Sequence, residues 1–217
     1  MDMEQARYNM VEQQIRPWDV LNQDVLDLLF KVRREDFVPE AHRALAFVDM
    51  EIPLGHGQAM WTPKLEARVI QELAIRPGDR VLEIGTGSGY LTALLASRAA
   101  AVVSVDIVPE FTAAAMQKLR AHGFGNVELH TGDAARGWPD AAGFDVIVLT
   151  GSTPLLSDAL LQRLNVGGRL FAITGEAPVM YAQLITRTAP GATRSVTLFD
   201  TCVAPLVNAP EPAAFVF

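Results

Sequence analysis

One cysteine, Cys202, stands in the whole chain, so no intramolecular disulfide can staple the fold. Its setting, Thr201-Cys202-Val203, reads as that of a small packed side chain in a reducing compartment. A basic excess is lacking too. Lys and Arg number 18 against 25 Asp and Glu, a formal charge of −7, which argues against a nucleic-acid partner held through its phosphates. The only adjacent basic pair, Arg33-Arg34, reads as a solvated helix end. No apolar run approaches the roughly 20 residues of a membrane span; Leu91 to Val105 is interrupted by Ser97 and Arg98. The start, Met1-Asp2-Met3-Glu4, carries acids where a secretion signal has basic residues and an apolar core. A cytoplasmic protein with no membrane partner is expected. The four histidines, His42, His56, His122 and His130, show no metal-ligand spacing, so no metal site is expected. No internal repeat is visible.

What is present suits one generous α/β domain: 217 residues, half of them hydrophobic and a fifth charged. Residues 1–63 read as an N-terminal helical extension ending in a substrate loop, and 64–217 as the main domain, the two forming one compact unit. Val20, Leu21, Val25, Leu28, Leu29 and Val32 fall near helical spacing. Pro39 and Pro53 break the pattern, Gly55-His56-Gly57 marks a loop, and Lys64 to Ala74 follows as an amphipathic helix after Thr62-Pro63.

Short apolar strands then alternate with helices. Strands are expected at Arg80–Ile84, Val102–Asp106, Val127–Thr131, Phe144–Thr150 and Arg169–Thr174. Helices are expected at Tyr90–Arg98, Pro109–His122 and Leu155–Leu164. Such alternation implies βαβ crossovers and a doubly wound, mostly parallel sheet. Tyr181–Thr188 and Ser195–Val203, joined by Ala189-Pro190-Gly191, add an antiparallel hairpin, which brings the sheet to seven strands.

The most informative segment runs from Val81 to Tyr90. A strand passes into Gly85-Thr86-Gly87-Ser88-Gly89, and a helix begins directly afterwards. Lacking Cβ atoms, such a turn lets a ligand approach the main chain at the carboxyl end of a strand, where open parallel sheets bind ligands. Dinucleotide sites favour G-x-G-x-x-G, whereas here the spacing is G-x-G-x-G and Glu83 precedes it. A carboxylate there opposes a pyrophosphate and suits a ligand bearing an ammonium and a sulfonium. The pattern favours S-adenosylmethionine, with S-adenosylhomocysteine as product, over a nicotinamide dinucleotide or a loop rich in glycine only for turning. Asp106, followed by Ile107, ends the next strand about twenty residues on, as expected of an acid that bridges ribose hydroxyls. Asp133, in Gly132-Asp133-Ala134, can accept from an adenine amino group while Ala134 leaves room for the ring. The fold expected is the Rossmann-like one of class I S-adenosylmethionine-dependent methyltransferases.

The chain resembles the protein-L-isoaspartate O-methyltransferase family. The resemblance begins at Met10-Val11 and Gln14-Ile15 and continues through Val32 to Pro39, Ile52 to Gln58, and Pro63. It then covers Gly78 to Tyr90, Gly132-Asp133, Gly137-Trp138-Pro139, Phe144-Asp145, Gly167 to Leu170 and Pro205-Leu206. It implies methyl transfer to the α-carboxylate of L-isoaspartyl residues in damaged proteins, which starts their repair. It also implies that Glu83, Gly85 and Asp106 hold the cofactor, with Asp133 near its adenine. The loop of His56, Gly57, Gln58, Ala59 and Met60 would cover the methyl group and meet the substrate.

The departures lie on the substrate side. After Gly-Gln the family reads Thr-Ile-Ser, any residue, then Pro; this chain reads Ala59-Met60-Trp61-Thr62-Pro63. Trp61 stands at the position of the family's catalytic serine, and an indole donates from only one N–H. Thr62, one residue on, offers a hydroxyl and also fits a helix N-cap. Thr150-Gly151-Ser152-Thr153 stands where the family tends to have Thr-Ala-Ala-Pro, so Ser152 or Thr153 are further hydroxyl candidates. Besides the isoaspartyl reading, two others stay open: a methyltransferase for an unidentified small substrate stacked on Trp61, and a catalytically silent cofactor-binding module.

Overall fold

The computed structural model describes residues 2–140 and 142–212. The readings that touch Met1 and the last five residues of the expected main domain lie outside these.

The extension folds as α1 (Met3–Met10), a π-helical turn (Val11–Ile15), and α2 (Gln23–Lys31). The apolar spacing from Val20 suggested an earlier start for α2. Asn22, however, accepts from the Asp24 N–H as the N-cap, so Val20 is buried before the helix and Leu21 faces solvent. A small hairpin follows, β1 (Ile52–Gly55) and β2 (Gln58–Met60). Gly55 pairs with Gln58, and His56 and Gly57 between them have φ of 53° and 72°, the two positive values that a two-residue type I′ turn requires. Helix α3 (Pro63–Leu73) has Thr62 as its N-cap and Pro63 in its first turn.

The main sheet is built from β3 (Arg80–Ile84), β4 (Ala101–Asp106), β5 (Val127–Thr131), β6 (Phe144–Thr153), β7 (Leu164–Glu176), β8 (Val179–Ala189) and β9 (Ala192–Thr201). Its order is β5-β4-β3-β6-β7-β8-β9. The first five strands in this order run parallel, and β8 and β9 return antiparallel beyond β7. Helices α4 (Tyr90–Ala96), α5 (Pro109–Ala121) and α6 (Asp158–Arg163) connect the parallel strands. Helix α6 is shorter than its apolar pattern suggested, and Leu155 lies exposed before it. Strands β6 and β7 extend past their expected ends: β6 through the Ser152–Ile173 and Thr153–Thr174 pairs, and β7 through Leu164 beside Phe144 at its start and Gly175 and Glu176 beside Met180 and Val179 at its end. The chain winds outward from β3 to β5, then crosses back to β6, so the sheet's switch point lies beside β3.

The core is continuous between extension and sheet: Met10, Val11 and Ile15 belong to one buried cluster with Val81, Leu94 and Val148. Two sequence expectations are corrected here. Cys202 is exposed, because it follows the last residue of edge strand β9. Arg34 is not solvated but fully buried, since α2 stops at Lys31 and the chain turns inward. No helix among the described residues is long and apolar enough to cross a membrane.

Candidate functional site

Strand β3 delivers the glycine turn to the switch point. Gly85, Gly87 and Gly89 all have positive φ (99°, 51° and 82°), a region costly for residues with a Cβ. At Gly85 space is also lacking, because a Cβ would stand 2.0 Å from Thr150 Oγ1. That hydroxyl points at the carbonyls of Ile84 and Gly85, at 2.9 and 2.8 Å. Gly89 serves packing instead: a Cβ there would lie 2.9 Å from Ala115 Cβ on α5, and Gly89 does not line the cleft.

Asp106 braces the turn from β4. Its Oδ2 accepts the Gly87 N–H at 2.8 Å and its Oδ1 the Val108 N–H at 2.9 Å. Between these segments opens a cleft continuous with solvent. Of the residues singled out from sequence, Gly85, Gly87, Asp106, Ile107, Gly132, Asp133, Ala134, Gln58 and Ala59 line it. Asp133 accepts from Ala135 N and from Asn208 Nδ2, at 3.1 and 2.9 Å. Thr150 and Gly151, of the segment that departs from the family pattern, also line it, as do Phe111, Leu206 and Val207, to which sequence reasoning gave no site role. The last two arrive by a long-range contact, Leu206 N–H to Ser152 O at 2.9 Å. The only sequence signal for them was the Pro205-Leu206 pair.

Glu83 does not line the cleft, which corrects the expected direct contact with a bound ligand. Its side chain leaves β3 toward α4 and is fully buried. Oε2 accepts from Thr92 Oγ1 at 2.5 Å and from Ser104 Oγ at 2.6 Å, while Oε1 has no partner. Burial pushes its carboxyl up to about 8, against the two hydroxyl hydrogen bonds, which favour the charged form. Its place is beneath the glycine turn.

A second hollow adjoins the cleft, sharing Leu54, Ala59, Gly85, Gly87 and Thr150 with it. Met60, Trp61, Glu66, Thr86, Ser88 and Leu91 form the rest of its wall. Thr86 and Ser88 line this hollow and not the first.

The comparisons with known proteins bear on this arrangement. The family model described as Protein-L-isoaspartate(D-aspartate) O-methyltransferase (PCMT) matches residues 5–210. The chain belongs to that family. It is 40% identical to protein-L-isoaspartate O-methyltransferase 2 of Anaeromyxobacter sp. (strain Fw109-5), over 87% of this chain and 78% of that one. It is 38% identical to protein-L-isoaspartate O-methyltransferase 1 of Rhodopseudomonas palustris (strain HaA2), over 96% and 88%. Among solved structures, a Plasmodium falciparum protein named for the same activity, in complex with S-adenosyl-L-homocysteine, superposes with a TM-score of 0.78. It covers 95% of this chain and 98% of its own at 20% identity, a likeness of fold.

Against the PCMT pattern, the loop departures have definite places. Trp61 is buried, its ring edge-on to Phe171 at 6.2 Å. Thr62 lines neither hollow: as N-cap its Oγ1 turns back to accept the Leu65 N–H at 3.4 Å, so the catalytic alternative for it is set aside. Ser152 Oγ donates to Val203 O at 3.2 Å and Thr153 Oγ1 to Leu155 O at 2.5 Å, so neither replaces the lost hydroxyls. His56 and Gly57 stand exposed at the hairpin tip, where the His56 ring meets Phe111 edge-on at 5.5 Å. Arg34, given no site role from the sequence, supports the loop from within. Its Nη2 donates to Trp61 O at 2.6 Å, its Nε to Ala46 O at 2.9 Å, and its Nη1 pairs with Glu66.

Proposed function

We propose that this PCMT-family protein is an S-adenosylmethionine-dependent carboxyl methyltransferase that acts on isoaspartyl carboxylates in damaged proteins. The observation that carries the proposal is the glycine turn braced by Asp106 at the switch point, in a chain that matches the PCMT family from residue 5 to 210. The cleft fits the cofactor on its own chemistry. Gly85 and Gly87 bare the main chain where a Cβ would intrude. Asp106 spends one lone pair of each oxygen on a main-chain N–H, of Gly87 and of Val108, which leaves two for vicinal ribose hydroxyls. Asp133 and Ala134 form a polar and a small apolar wall suited to an adenine.

When bound, the cofactor supplies a methyl group on a sulfonium: the C–S bond breaks with its electron pair going to sulfur, an O–C bond forms to the carboxylate, and no proton moves. The protein's part is to align acceptor and donor and to exclude water. The glycine turn and Asp106 hold the donor, while Gln58, Ala59 and Leu54 close over it from the β1–β2 hairpin. The single cysteine supports a reducing, cytoplasmic setting. The test is transfer of labelled methyl to an isoaspartyl peptide and not to its aspartyl counterpart. Absence of transfer at saturating peptide and cofactor would end the proposal.

A further inference from the structure

Two acids, Asp106 and Asp133, line the cleft. A carboxylate selects a donor by direction as well as by charge, and one that turns freely about its Cβ–Cγ bond gives up the direction. Asp106 is fixed, because each of its oxygens accepts a main-chain N–H. Asp133 stands at the exposed rim, and the nearby chain holds only one of its oxygens: Oδ1 accepts the Ala135 N–H at 3.1 Å, two residues on. Its Oδ2 is held from 75 positions away, by Asn208 Nδ2 at 2.9 Å. A carboxylate only accepts, so the amide nitrogen of Asn208 is the atom that faces it.

Asn208 reaches Asp133 because the segment after β9 is laid along the carboxyl end of β6. The Ser152 N–H donates to Ala204 O at 3.0 Å and the Leu206 N–H to Ser152 O at 2.9 Å, which makes a parallel bridge of Ser152 with Pro205. The chain then turns. The Ala209 N–H donates to Leu206 O at 3.2 Å, and Asn208, third in that turn, has φ 62°. Asn is among the few residues with a Cβ that take this left-handed conformation readily. Leu206 and Val207 of the same turn line the cleft, and Asn208 does not. Asn208 therefore holds Asp133 from outside and leaves its cleft side open.

We infer that Asn208 is a positioning residue for adenine selectivity: its amide fixes the Asp133 carboxylate so that a free lone pair points into the cleft and accepts from the 6-amino group of the cofactor. This rests on the reading above that Asp133 meets the adenine. The preference for a 6-amino over a 6-carbonyl purine is then set in part by the turn at 206–209, far in sequence from the glycine turn and the strand ends that line the rest of the cleft. Asn208 touches neither the cofactor nor the reacting atoms and acts through Asp133 alone.

The test measures, by calorimetry, binding of S-adenosylhomocysteine and of S-inosylhomocysteine, which carries a 6-carbonyl, to wild type, Asn208→Gly and Asn208→Asp. Glycine keeps the left-handed turn without strain and removes only the amide; aspartate keeps the side chain's shape and has no hydrogen to donate. Wild type should prefer the adenosyl compound. Loss of one orienting hydrogen bond predicts that Asn208→Gly binds S-adenosylhomocysteine about three- to tenfold more weakly, with affinity for the inosyl compound held within about twofold. Its preference should shrink by the same factor, and Asn208→Asp should lose at least as much. Equal losses for both compounds would overturn the inference, because they would assign Asn208 to the shape of the turn and its apolar wall. So would an unchanged preference in Asn208→Gly, or wild-type selectivity in Asn208→Asp. A wild-type protein that binds the two compounds equally would instead remove the reading of Asp133 beneath it, and this inference with it.

Discussion

Arg34 and Trp61 are joined by a 2.6 Å hydrogen bond from the guanidinium to the main-chain carbonyl, across 27 positions of sequence. The same guanidinium pairs with Glu66 and lies over the Tyr90 ring, 5.3 Å from its centroid. It therefore ties the acceptor loop to α3 and to the helix that begins at the glycine turn. Burial lowers Arg34 to about 10, still well above neutral, so it is charged. Replacing it by Met leaves Glu66 buried and unpaired, which costs about 3–5 kcal/mol. Arg34→Met should unfold at markedly lower urea than wild type, and Arg34→Met/Glu66→Gln should regain part of that loss. A double variant as unstable as the single would count against the pairing.

Glu83 makes stability depend on pH. Its folded value of about 8 lies above the ordinary 4.5, so the folded state keeps a proton that the unfolded state releases. That contribution is whole below 4.5, is lost as pH rises toward about 8, and changes no further above. Melting temperatures should fall across this window in wild type, and the fall should be smaller in Glu83→Gln. Parallel curves for the two proteins would refute the assignment.

Two glycines of positive φ separate strain from collision. Gly57 has φ 72° and open space where a Cβ would go, while Gly85 has φ 99° and Thr150 Oγ1 at 2.0 Å. Gly57→Ala should cost about 1–2 kcal/mol, the backbone term alone. Gly85→Ala must also displace a hydroxyl bonded to two carbonyls, so it should cost more and abolish measurable S-adenosylhomocysteine binding. Chemical unfolding and calorimetry on both variants check this; equal costs would show that the Thr150 contact relaxes freely.

Asp106→Asn tests the brace. An amide offers one acceptor oxygen where the carboxylate uses two, so either Gly87 N–H or Val108 N–H loses its partner. A charged hydrogen bond is worth about 1.5–3 kcal/mol, so S-adenosylhomocysteine affinity should drop roughly ten- to a hundredfold. Unchanged affinity would place the ligand elsewhere.

Much of this protein was legible in one dimension. Strand β3, buried over all but its first residue, and the half-exposed edge strand β5, marked by its Val127–Leu129 alternation, both appear in the sequence at their observed bounds, and β4 within one residue. The alternating glycines at 85–89 and the acid ending β4 mark the cleft because backbone curvature and strand-end position are local properties. Tertiary packing decided the rest. Which way Glu83 leaves its strand depends on α4 lying over it, and whether Arg34 meets water depends on Glu66, Trp61 and Ala46 closing around it. The meander order of β7, β8 and β9 is set by pairing between strands. The fate of each hydroxyl at 62, 150, 152 and 153 is likewise a matter of which acceptor stands within 3 Å or so. A hydrogen bond needs a partner in space, and sequence spacing does not name one beyond the nearest turn.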